Sequence, residues 1–426
     1  MGFLTDLVYV ALAIVTSPWW ARKSRSGWAE RFGKIETLSP SSRPRVLLHA
    51  VSVGEVNLLR SIVPMLADDC DVVVASTTDT GMARARQLYD GQPHTQVVRY
   101  PLDASWAVRR FLDAIQPDVV GLVELELWPN FARACRRRGI PLAIINGRLS
   151  HRSVGGYRFA RPILGTWFGS LAFCGVQDET YRQRFIEVGV QPERCSVVGT
   201  MKWDAATVSD QVEGASALAD DMGIDLSKPL LVAGSTAPDE HALLHEATPP
   251  GVQLLCAPRK PEWFDDAARD LPGCVRRSAH SSKTPTTDRF LLDTIGELRK
   301  AYALADLVVV GRSFGELYGS DPMEPAALGK AIIIGPSVAD FATTVEVMRA
   351  SDAIVQVDRE TLKTTIEQLL QDEPRRSQLA DNARSCVLEH QGASSRYAAM
   401  LRAQLEETQA FEGKRLANEE TEHVRV

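Results

Sequence analysis

Closely spaced cysteine pairs are missing from this chain. Its seven cysteines (Cys70, Cys135, Cys174, Cys195, Cys256, Cys274 and Cys386) stand apart, with no C-x-x-C. That spacing excludes a zinc knuckle and a disulfide framework and fits a reducing compartment. Positive charge is not in excess either: 48 lysines and arginines face 54 acids, a net charge of −6. A general nucleic-acid binder, which carries a basic patch or a high pI, is therefore not expected. Three nucleotide and hydrolase signatures are also absent. No G-x-G-x-x-G follows the first strand, which removes the dinucleotide fingerprint. No G-x-x-x-x-G-K-[ST] occurs, which removes the P-loop NTPases, and no G-x-S-x-G elbow occurs.

What is present is an ordinary soluble composition, 45% apolar and 24% charged, over 426 residues. That length is too great for one core and predicts two domains of roughly 200 residues each. The N-terminus departs from it. The chain is apolar from Phe3 to Trp20, interrupted by Asp6, and Arg22, Lys23 and Arg25 follow. A signal peptide has its positive charge before the apolar run. Here the charge follows, and Trp19 and Trp20 stand at the boundary, which predicts a membrane-anchor helix with the body of the chain cytoplasmic.

From Arg45 onward short β-branched runs alternate with amphipathic stretches: "VLLHAV", "DVVVAST", "TQVVRYPL", "PDVVGLVE" and "PLAIING", each with a helical pattern behind it. The alternation restarts after a polar stretch with "PLLVAGST", "VQLLCAPR", "DLVVVGRSF" and "AIIIGPSV". Such alternation implies βαβ units and parallel sheets. The expected architecture is α/β: two doubly wound Rossmann-like domains facing a cleft, with an N-terminal anchor helix. The expected borders are 1–30 for the anchor, 31–206 and 207–405 for the two domains, and 406–426 for a charged, disordered tail. The last helix is left free to cross back to the first domain.

Chemistry-bearing residues gather where strands end. Ser52 and Glu55 in "HAVSVGE" have the spacing of a capping box, in which serine and glutamate satisfy each other's orphan amides. The same glutamate stands at the mouth of the first strand, so the stretch alone leaves open a cap, the favoured reading, or a carboxylate placed there for chemistry. Glu124, Glu126 and Trp128 follow an apolar strand, and burying two acids there is costly unless a cleft solvates them or cations pair with them. Arg148, Ser150, Arg152 and Tyr157 follow another strand, and Lys202 follows the last strand of the half. In the second half, Ser235 and Thr236 form a Gly-Ser-Thr turn before a helix, suited to a phosphate or to plain capping. Arg259 and Lys260 stand at a strand end and fit an anionic ligand. Gly311 opens a loop that leads to Asp321 and Glu324, the latter able to accept two hydrogen bonds from a ribose diol or to complement a helix dipole. His241 and His245, four apart, lack the glutamate of H-E-x-x-H and a third ligand; they read as an exposed pair, and no metal is expected.

As an ordered set, "HAVSVGE", "ELWPN", "NGRLSHRS", "GTMKWD", "GSTAPDE" and "DPMEPAALGK" resemble the 3-deoxy-D-manno-octulosonic acid (Kdo) transferases of lipopolysaccharide assembly, from "WAERFG" (28–33) to at least "PSVADF" (336–341). The resemblance implies the GT-B glycosyltransferase fold, no metal or other cofactor, CMP-Kdo as donor and a lipid A precursor as acceptor. It implies a location on the cytoplasmic face of the bacterial inner membrane, reached through the N-terminal segment. It makes Glu55 the general base and puts Glu126, Arg148, Ser150 and Lys202 on the acceptor and sugar side. Ser235, Thr236, Arg259, Lys260, Gly311, Asp321 and Glu324 fall on the nucleotide side. The chain departs from the family pattern there: Ala237 and Lys260 replace histidines, and Tyr318, Ser320 and Asp321 replace glycine, histidine and asparagine. A transferase of another nucleotide sugar or an epimerase on the same fold is the alternative enzyme, and a two-lobed binding protein without chemistry is the alternative of another class.

Overall fold

The computed structural model describes residues 26–279 and 287–423. The expected anchor at 1–30 falls almost wholly outside them. Among the described residues no helix is long and apolar enough to cross a membrane. The chain divides into two compact units. One holds the described residues up to Ala205 together with those from Gly392 onward; the other is Ala206–Gln391.

The first unit is built on a seven-stranded sheet: β1 (Arg45–His49), β2 (Asp71–Ser76), β3 (Thr95–Arg99), β4 (Val119–Val123), β5 (Leu142–Gly147), β6 (Cys174–Val176) and β7 (Cys195–Val197). The order is β3-β2-β1-β4-β5-β6-β7, and every pairing is parallel. β1 and β4 are buried along their whole length, as continuous apolar runs are when helices cover both faces of a sheet. Side-chain alternation splits the core in two. Val46 and Leu48 point into a cluster with Val56, Leu59, Ile62, Tyr397 and Leu401. Leu47 points the other way, towards Phe111, Leu112, Phe131 and Cys135.

Tyr397 and Leu401 lie on the C-terminal helix, Ala393–His423, which packs beside the helix Val53–Ala67. The second unit thus ends at Gln391 rather than at 405. Asp204 fixes the return, its two carboxylate oxygens accepting the backbone N–H groups of Gly392 and Ser394, each at 2.6 Å. The tail read as disordered is also corrected, since the helix continues to His423. Glutamate, alanine, lysine and arginine are good helix formers, so a high charge content there does not prevent helix formation.

The second unit repeats the plan with β8 (Leu230–Thr236), β9 (Gln253–Pro258), β10 (Val275–Arg276), β11 (Arg289–Leu291), β12 (Leu307–Val310), β13 (Ala331–Ile334) and β14 (Val355–Gln356). Their order is β10-β11-β9-β8-β12-β13-β14, again all parallel. In doubly wound sheets the binding crevice opens at the carboxyl ends of the strands where the order reverses. That point lies between β1 and β4 in the first unit and between β8 and β12 in the second.

Candidate active site

Glu55 and the Glu124–Glu126 pair follow the two strands that flank the first reversal. After β1 the chain turns through Ser52, which is extended (φ −111°, ψ 167°) and caps the helix Val53–Ala67. The Ser52 Oγ accepts the Glu55 N–H at 3.4 Å and donates its own proton to Glu55 Oε1 at 2.8 Å. The second carboxylate oxygen accepts the Val51 N–H at 2.9 Å. Glu55 is therefore a cap, held by one amide and one hydroxyl, and it remains half-buried rather than enclosed. A carboxylate has about four acceptor directions, so two donors orient it and leave others open.

After β4, Glu124 adopts a left-handed backbone (φ 60°), a conformation uncommon for a residue with a Cβ. Its N–H is held by the Ile145 carbonyl at 3.0 Å. Burial and the neighbouring Glu55 raise its carboxyl pKa, opposed by Arg148 and Lys202. Glu126 is pushed up to about 7, first by burial and then by the charge of Glu55. The Trp128 indole N–H donates to its Oε2 at 3.1 Å and opposes that rise. Three carboxylates and two cations thus act on one another at this rim. Glu124, quoted in the sequence but not among the expected site residues, belongs with the others; an acid one position from the strand end was the available signal.

The cations are placed by their own neighbours. Arg148, after β5, donates from Nε to the Tyr181 hydroxyl at 3.3 Å. Lys202 sits in the turn after β7, and the residue before it is tied down by Asn146, whose Oδ1 accepts the Met201 N–H at 3.0 Å. Asn146 is fully buried at φ 53°, and it went unnoticed in the sequence although asparagine is one of the few residues that enter this region readily. Ser150 is exposed after β5 and also has a structural role. Its Oγ accepts the Ser153 N–H at 3.2 Å and lies 2.9 Å from the Ser153 hydroxyl, at the start of the helix His151–Phe168. It acts as a helix cap. His49, the first residue of "HAVSVGE", is buried against Tyr100 with ring centroids 3.6 Å apart, and burial lowers its pKa to about 3. Burial thus favours its neutral form at neutral pH.

In the second unit, β8 bulges at Ser235 (φ 56°), where its register with β9 shifts between Gly234 and Thr236. The bulge turns Thr236 inward: its hydroxyl lies 3.1 Å from His241 Nε2 and 3.3 Å from Cys256 Sγ, and the residue is fully buried. The expectation that Thr236 offers a hydroxyl to a nucleotide is corrected; Ser235 is the half-buried member of the turn. Gly311 fits only without a side chain, since a Cβ there would stand 2.6 Å from the Thr236 Cα. Glu240 was not singled out in the sequence. Fully buried, it accepts four backbone N–H groups: Ala237 and Arg312 on Oε2 (2.9 and 2.8 Å), Ser313 and Phe314 on Oε1 (2.8 and 3.0 Å). It ties the turn after β8 to the turn after β12.

Arg259 is exposed after β9, its N–H held by the Thr236 carbonyl at 3.0 Å. Asp321 accepts the Met323 N–H at 2.9 Å and starts the helix Met323–Ala327, whose first turn carries Glu324. Asp321 and Glu324 both act on the buried Tyr302 hydroxyl, which also bonds to Ser235. The two histidines do not share a site. His241 is buried on Thr236, contrary to the exposed pair expected, and His245 Nδ1 accepts from Arg289 Nε at 3.0 Å.

The family model described as 3-deoxy-D-manno-octulosonic-acid transferase (kdotransferase) matches residues 26–205. The 3-deoxy-D-manno-octulosonic acid transferase of Bordetella pertussis is 31% identical over 403 residues, covering 88% of this chain and 93% of that protein. The chain belongs to the Kdo transferase family. The transferase of that name from Haemophilus influenzae is 28% identical over 416 residues, covering 94% of this chain and 95% of its own. Among solved structures, MurG of Acinetobacter baumannii matches with a TM-score of 0.54 at 14% identity, over 84% of this chain and 99% of that one. Anabaena HepE in complex with UDP matches at 0.53 and 14%, over 86% and 99%. These likenesses are of fold, and the fold is GT-B.

Within this Kdo transferase family member the departures on the nucleotide side have visible settings. Lys260 lies 3.5 Å from Glu262 and 4.9 Å from the centre of the Trp263 ring, so its charge is shared with a local acid and an aromatic face. Tyr318 is 57% exposed at φ 62°. Ser320 is buried, its hydroxyl donating to the Ser235 carbonyl at 3.4 Å, so the replacement braces the β8 bulge.

Proposed function

We propose that this chain transfers Kdo from CMP-Kdo to a lipid A precursor, with inversion at the anomeric carbon. The relatives' names supply the sugar. The observation that supports the chemistry is the mutual electrostatic coupling of Glu55, Glu124 and Glu126 with Arg148 and Lys202 at the first unit's reversal point. Transfer needs a base for the acceptor hydroxyl, and Glu55, oriented by the Val51 N–H and the Ser52 hydroxyl, is that base. The acceptor oxygen bonds to the anomeric carbon as the bond to the CMP phosphate oxygen breaks. The phosphate keeps the electron pair, and the acceptor proton passes to Glu55. Glu126, near 7, keeps a proton over part of the neutral range and serves as a hydrogen-bond donor to the sugar. Arg148 and Lys202 supply positive charge for the Kdo carboxylate or an acceptor phosphate.

On the donor side, Ser235, Arg259, Asp321 and Glu324 are proposed to hold CMP, with Gly311 keeping the turn open. The apolar N-terminal segment followed by Arg22, Lys23 and Arg25 supports a place on the cytoplasmic face of the inner membrane, where a lipid acceptor is met. Incubating the purified full chain with a tetraacyl lipid A precursor and either CMP-Kdo or UDP-sugars tests this reading. A product heavier by the mass of Kdo, formed with CMP-Kdo alone, is expected; transfer from a UDP-sugar instead, or from none, overturns it.

A further inference from the structure

An aromatic strip lies open on the first unit, beside the turns that follow β2 and β3. Trp28, Phe32 and Trp106 are 43%, 38% and 40% exposed. They touch in series, with Trp28 and Phe32 rings 5.9 Å apart and Phe32 and Trp106 rings 5.4 Å apart. The Arg110 guanidinium lies over Trp106 at 5.2 Å. Trp106 and Arg110 belong to the helix Ser105–Ile115, whose Ala107, Val108, Phe111 and Leu112 are buried, so the aromatic is on the outer face by construction. A contiguous exposed strip of large rings marks an interaction surface more often than chance scatter does.

Charge around the strip selects the partner. The helix Ser105–Ile115 packs beside Pro129–Arg137. Together with Arg138, which follows the second helix, they present Arg109, Arg110, Arg136 and Arg137 to solvent. Asp113 is the acid on these two helices, and it is paired with Arg138 at 2.8 Å. This basic field stands on a chain of net charge −6. Tryptophan at an interface with arginine beside it is the signature of a headgroup layer. A second copy of the same basic face would be repelled. The chain before Trp28 points the same way: its apolar run ends at Trp20, and Arg22, Lys23 and Arg25 lead directly into the strip.

We infer that Trp28, Phe32 and Trp106, with Arg109 and Arg110, form a second membrane contact that lays this face of the first unit on an anionic bilayer surface. The N-terminal segment tethers the chain, and the strip orients it. Stable attachment commonly takes two such signals. The inference is independent of the transfer reaction, because vesicle binding is read with no donor or acceptor sugar present.

The test is flotation of the full chain with phosphatidylcholine vesicles, with and without phosphatidylglycerol, for wild type, Trp28→Ser/Trp106→Ser and Arg109→Glu/Arg110→Glu. The N-terminal segment is unchanged in all three. Each double variant is expected to lower the partition coefficient roughly tenfold or more, the arginine pair only when phosphatidylglycerol is present. Equal partition of wild type and variants overturns the inference, as does a wild-type dimer that the same substitutions dissociate. Fluorescence quenching by lipids brominated in the acyl chain gives a readout that does not depend on variant folding. Wild type should be quenched more than the conservative Trp106→Phe, and identical quenching overturns the inference.

Discussion

The Ser52 hydroxyl donates to the Glu55 carboxylate at 2.8 Å while its oxygen accepts the Glu55 N–H at 3.4 Å, so one pair of residues both starts a helix and aims a carboxylate. Cap and base are compatible assignments. The cap fixes the side chain at the strand end, and the half-buried position keeps it available to a hydroxyl. Replacing Ser52 with alanine is expected to cost about 0.5–2 kcal/mol of stability, as lost N-caps do.

Glu126 predicts a pH dependence of stability. Its folded-state pKa of about 7 lies above the ordinary 4.5, so the folded state binds its proton more tightly than the unfolded state. Between those values the unfolded state carries fewer protons, and stability falls as pH rises. Glu126→Gln removes that slope. Chemical denaturation of the full chain should find the variant close to wild type at pH 4 and more stable by about 3 kcal/mol at pH 8.

Lys202 opposes the rise of the Glu124 pKa. Lys202→Met should therefore move the Glu124 pKa further upward, as read by carboxyl NMR titration. Losing a charge-assisted contact to an anionic substrate should also raise KM about thirtyfold, equivalent to about 2 kcal/mol. An unchanged KM would remove Lys202 from the substrate side.

Glu240 satisfies four buried backbone N–H groups with one carboxylate. Alanine there leaves those donors without acceptors, and the expected loss is about 4 kcal/mol. Hydrogen exchange should show Arg312, Ser313 and Phe314 losing protection first. Glutamine restores only part of it, because its NH2 group meets backbone donors.

Much of this was legible in the sequence. The β-branched runs that became β1, β4, β8 and β12 could be counted, and with them the strand ends that carry Glu55, Glu126, Ser235 and Gly311. What escaped was set by contacts distant in the chain or by a single dihedral. The C-terminal helix, left free to cross back, does so at Gly392 because Asp204 and the β1 side chains Val46 and Leu48 meet it across nearly the whole chain, and that border escaped. Thr236 points inward because one bulged residue, Ser235, inverts the alternation of the strand. Glu240 was not singled out because its four partners lie on two separate turns. Ser150 has a cap role that its spacing to Ser153 did not announce, since serine serves capping and binding equally well.

The most direct measurement is the rate of Kdo transfer from CMP-Kdo by Glu55→Gln beside wild type and Ser52→Ala. The glutamine keeps an acceptor for the Val51 N–H, can donate to the Ser52 hydroxyl oxygen, and loses the charge and the ability to take a proton. Turnover by Glu55→Gln should fall about 10²–10⁴-fold with donor binding unchanged, while Ser52→Ala, which keeps the carboxylate and its Val51 N–H, falls by less. Near-normal turnover by Glu55→Gln would contradict the assignment of Glu55 as the base.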